Sequence, residues 1–101
     1  TIKISVIKKF SPKDVFGHEI IDPPSGQVSA ICSVFEEGQE FIVKGLTKPD
    51  GFCDWAWHDL RKDLLVLIFG GEHSWTDPNV MYTSCTDGKR PVCFKLERLN
   101  P

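Results

Sequence analysis

Four cysteines, Cys32, Cys53, Cys85 and Cys93, have the widest chemical range of any residues in this chain. Thiolates brought together hold zinc or an iron–sulfur cluster, and a thiolate beside a base acts as a nucleophile or redox group. Cys32, Cys53 and Cys85 fall on the expected inward faces of three different elements, so a fold can bring them to one place. A fourth ligand would come from Cys93, His58, His73 or water. No C-x-x-C pair is present, whereas metal sites usually draw two ligands from one tight knuckle, so such a site would need the fold to form first. The competing reading makes these cysteines small buried hydrophobes, a common use of the free thiol.

Other residues of chemical interest give less. Cys53 stands just ahead of the positive end of an expected helix, where a thiolate is favoured. His58, five residues on, lies roughly 140° around that helix and is a poor base for it. His18, His58 and His73 are isolated, with no H-x-H, no HExxH and no acid at a useful spacing. Gly70-Gly71 follows a helix instead of opening one, so it makes no phosphate cradle. Trp55, Trp57, Trp75, Tyr82 and seven phenylalanines could line a ligand pocket, but a 101-residue core needs most of them. No catalytic residue is identified.

The element that must position these groups is the stretch Gly51 to Gly71, GFCDWAWHDLRKDLLVLIFGG, with a helix over about 54–69. Asp54 is placed to cap its first turn, and Gly70-Gly71 supplies the left-handed stop. Helical spacing puts Cys53, Ala56, Trp57, Leu60, Leu64, Leu67 and Ile68 on one stripe for burial. Lys62 and Asp59 lie opposite, and so do Trp55 and Val66, two apolar residues that need cover from a loop or from another chain. They are the candidate interface residues. Because Cys53 lies on the buried stripe, Cys53→Ser is expected to destabilise the fold.

Around this helix the chain reads as short strands. Ile2, Ile4 and Val6 alternate with polar residues, Ala30 to Phe35 is extended, and Phe41 to Lys44 follows a turn at Glu36-Glu37-Gly38-Gln39. Pro12, Gly17, Asp22-Pro23-Pro24 and Ser25-Gly26 make residues 11–29 a long excursion in which no helix persists. Phe16, His18, Ile20 and Ile21 lie in it, either across the core or a partner, or as the loop's own anchors. A hairpin closes the chain over about 80–99 around Thr86-Asp87-Gly88-Lys89, whose Asp-Gly is a strong turn signal. With an even-length loop, Met81, Thr83 and Cys85 share the apolar face with Val92, Phe94 and Leu96, and Cys93 points the other way.

Three segments, EEGQEFIV, GFCDWAWHDLRKDLLVLIFGG and CTDGKRPVCFKLERL, resemble the motifs of a small prokaryotic family of about ninety residues, labelled only as an uncharacterised repeat protein. The resemblance spans roughly residues 30 to 99. It implies that Cys32, Cys53 and Cys85 occupy motif positions, that Cys93 stands where an aliphatic residue is expected, and that the loop at 14–29 is longer than usual. It brings no activity, cofactor or substrate.

At 101 residues, 41% hydrophobic and 26% charged, the composition is that of one ordinary globular domain, residues 1–101. A net charge of −2 without a basic cluster argues against nucleic-acid binding. The longest apolar run, Leu64 to Phe69, is too short for a bilayer, and the alternating start TIKISVIKKF lacks the regions of a signal peptide, which suggests a cytoplasmic protein that has lost its initiator methionine. In that compartment the cysteines are expected as thiols or ligands, not disulfides. The expected fold is α+β: a small bent antiparallel sheet or partial β-barrel of about five strands on a single helix. The expected role is a binding or accessory module that self-associates or docks on a larger enzyme, because Trp55 and Val66 lack intrachain cover. A zinc or iron–sulfur protein using Cys32, Cys53 and Cys85 comes second and a cysteine-dependent enzyme third.

Overall fold

The computed structural model describes residues 1–99. In chain order it contains β1 (Ile2–Lys9), α1 (Pro12–Phe16), β2 (Glu40–Val43), α2 (Asp54–Ile68), β3 (Val80–Ser84) and β4 (Val92–Arg98). The strands form one open antiparallel sheet in the order β2-β1-β4-β3, with α2 across one face, so the fold is α+β and the sheet does not close into a barrel.

Alternation in the two central strands decides which face takes the helix. Ile2, Ile4 and Val6 of β1 and Val92, Phe94 and Leu96 of β4 are all buried, facing Ala56, Leu60, Leu64 and Leu67 of α2. Each fully buried aliphatic side chain of this kind contributes about 1.5–3 kcal/mol. Phe35, Phe41, Phe52 and Phe94 fill one end of this layer, with ring centres 4.9 Å apart for Phe35–Phe52 and 5.1 Å for Phe35–Phe94. The opposite sheet face carries charge: Lys3 lies 3.6 Å from both Glu40 and Glu97. The register slips between Val6 and Lys8, where β1 bends.

Register in the hairpin follows the even-loop reading. Met81 pairs with Leu96 and Thr83 with Phe94, Cys85 is buried beside Val92, and Cys93 pairs with Ser84 on the other face. Helix α2 stops where Gly70 takes φ 82°. Gly71 passes so near the helix that a Cβ there would lie 2.9 Å from Val66 Cγ1.

Three expectations change, and one open alternative closes. The sheet has four strands instead of about five, because residues 30–35 join no ladder. The carbonyls of Cys32 and Phe35 accept instead from Lys9 Nζ, at 2.9 and 2.7 Å, and Phe35 plugs the core. A short helix does form in the excursion: Ser11 and Asp14 make a reciprocal capping box, Pro12 sits in the first turn and Gly17 ends it at φ 81°. The helix cap of α2 is Cys53, not Asp54, whose carboxylate is paired with Lys48. Of the two alternatives for the excursion's apolar residues, Phe16 and Ile21 do not lie across the core but are exposed, and the loop is pinned by Lys89 to Asp22 at 2.7 Å and by an Ile21–Val28 bridge.

Candidate functional site

Cys32, Cys53 and Cys85 line one pocket of about 250 Å³ at the start of α2. They reach it from three segments: the bent plug that leads to Phe35, the cap of α2 and the end of β3. Phe35, Ala56 and Val92 supply its apolar floor, and Val34, Trp55, Asp87 and Arg90 stand around it. The Cys85 sulfur accepts a hydrogen bond from the Val92 N–H at 3.3 Å. Cys53 caps nothing with its side chain although it holds the position where serine or aspartate would. Among the described residues, no three side chains of His, Cys, Asp and Glu stand together closely enough to hold a metal ion.

Of the other ligand candidates, none lines this pocket. Cys93 is on the far face of the sheet, where burial first and the Cys85 thiol second push its pKa up. His58 lies in the neighbouring groove with Asp54, Trp55, Asp59 and Thr86. His73 is at the other end of α2, its Nε2 lying 3.6 Å from Asp63 Oδ1. Asp87 does line the pocket. Burial opposes its ionisation, but hydrogen bonds from the Arg90 side chain and the Lys89 and Arg90 N–H groups outweigh that and hold its carboxyl below the usual value.

Trp55 forms a wall shared by this pocket and the groove beside it. Its indole Nε1 donates to Thr86 Oγ1 at 3.0 Å, and Thr86 in turn donates its N–H, at 2.8 Å, and its hydroxyl to Asp59. The ring is therefore fixed, yet the residue is 63% exposed. Val34, exposed, lines the same pocket from the chain segment that carries Cys32. Val66, the other candidate interface residue, is 36% exposed and touches the turn at Gly71, about three helical turns from Trp55.

Helical spacing missed Asp63, buried on the inner stripe with Lys62 at 2.9 Å and His73 near it. His73 Nδ1 is buried with no hydrogen-bond partner among the described residues. The Thr86-Asp87 contribution was signalled only as a turn, since nothing local indicates that a hairpin tip will meet the first turn of a helix.

No family model, curated protein or solved structure matches the chain. No helix among the described residues is long and apolar enough to cross a membrane.

Proposed function

We propose that the protein is a small binding module that docks through the face at the start of α2, with Trp55 as its anchor. One observation carries this reading: a mostly exposed indole is locked by the Thr86–Asp59 relay beside an apolar pocket. A fixed aromatic ring loses little entropy on binding and is the residue type that dominates interface energies. The relay also satisfies the one polar atom of the ring, leaving an apolar surface to be covered. The test is photocrosslinking in cells of the source organism from position 34, beside the pocket, and from position 42, on the opposite sheet face. A discrete adduct from position 34 that disappears with Trp55→Ala is expected. Equal adducts from both positions, or adducts indifferent to Trp55→Ala, would overturn the reading.

A second reading has its own support. Three cysteines from distant segments line one pocket, and Cys53 forgoes a helix cap there, a local cost of about 1 kcal/mol. In that reading Cys32, Cys53 and Cys85 close on zinc or an iron–sulfur cluster, and the fourth ligand is water or Asp87, which lines the same pocket. Elemental analysis of untagged protein purified anaerobically decides it. Stoichiometric zinc or iron lost in each cysteine variant supports the reading, and metal-free protein from replete cells removes it.

A further inference from the structure

Resting on the docking reading, we infer that the occupant of this face is a second copy of the chain, each copy's Trp55 indole seated in the other's Cys32–Cys53–Cys85 pocket. The pocket is sized for a side chain. Its volume of about 250 Å³ falls under the roughly 300–1,000 Å³ of small-molecule sites. Its lining of Phe35, Ala56, Val92 and sulfur suits an aromatic ring, since thiols behave as soft, small hydrophobes. The exposed ring adjoins that pocket on the same face, so knob and hole are both present in every copy. That is the requirement for a two-fold isologous contact, in which one patch is its own complement.

Charge agrees with this occupant. Asp87 and Arg90 both stand at the pocket, 3.1 Å apart, and Lys48 and Asp54 form a further pair at the start of α2. A rim carrying both signs meets a rotated copy of itself with opposite charges available, whereas a strongly basic or acidic partner would find half of it repulsive. The net charge of −2 gives little long-range repulsion between copies.

Sedimentation equilibrium of the untagged, reduced protein tests the assignment, with Trp55→Ala and Val34→Glu as variants. Both positions are exposed, so neither change empties the core. A dimer is expected, loosened about tenfold or more by either substitution. Alkylation of Cys32 and Cys53 should slow as protein concentration rises through the dissociation constant, in the wild type alone. A dimer indifferent to Trp55→Ala, or a monomer at millimolar concentration, overturns the inference. The docking reading fails separately: a monomer that still crosslinks a different protein from position 34 overturns only the second copy, and a monomer with no crosslink overturns both.

Discussion

Cys53 shows how a single position can carry two opposed effects, packing on the apolar stripe and capping of the helix. Its place on the apolar stripe argues that Cys53→Ser destabilises the fold. In the structure it is only partly buried and holds the cap of α2 with φ −65°, ψ 128°, without a side-chain cap bond. A serine hydroxyl there can accept from the unpaired N–H groups of the first turn, so the expected outcome is a gain of about 0.5–1 kcal/mol in urea unfolding. A loss would mean that sulfur packing outweighs the cap. Asp87 makes a second prediction. Because its folded pKa is lowered, its contribution is fully present above the ordinary carboxylate range and is lost as pH falls through that range and below. Wild-type and Asp87→Asn unfolding midpoints should therefore converge as pH is lowered from 6 to 3.

At the scale of elements, α2 is tied to the sheet at both ends. At its start the Thr86–Asp59 relay joins it to the hairpin tip. At its end Arg98 of β4 donates to the Leu67 carbonyl at 2.6 Å and the Gly71 carbonyl at 3.1 Å, with Glu72 and Asn79 accepting the rest of its guanidinium. The Leu67 carbonyl otherwise accepts only the turn's own N–H groups, such as that of Gly70 at 3.2 Å, and the Arg98 side chain is 9% exposed, so little water can replace it. Arg98→Gln should cost about 2–4 kcal/mol, read as a lower urea midpoint at unchanged slope. Arg98→Lys should not restore it, because a single ammonium cannot serve acceptors arranged for a planar fork.

For the whole molecule, association and stability become one quantity if a second copy covers the Trp55 face. Its thermal midpoint should then rise as protein concentration increases about a hundredfold, by mass action on the folded state. Trp55→Ala should flatten that dependence while leaving the dilute-limit midpoint nearly unchanged, since the ring is mostly exposed in the single chain. Calorimetry at several concentrations reads both effects.

Local pattern was enough for the helix over 54–68, the alternation of β1 and β4, the hairpin register and the inward placement of Cys85, because each follows from periodicity or turn chemistry within a few residues. The exposure of Trp55 was legible in the same way. Residues 30–35 were not: their apolar run suits an extended strand, but Lys9 Nζ takes the carbonyls of Cys32 and Phe35 and the segment joins no ladder. Asp63 escapes because nothing in the helical pattern shows that a buried acid on an apolar stripe is met by Lys62 beside it and by His73, ten residues along the chain and beyond the helix end. That Cys32, Cys53 and Cys85 line one pocket depends on how a plug, a helix start and a hairpin tip pack at one corner of the sheet. Short-range propensities shape each segment, while long-range packing sets the distances between them, and the candidate site lies in those distances.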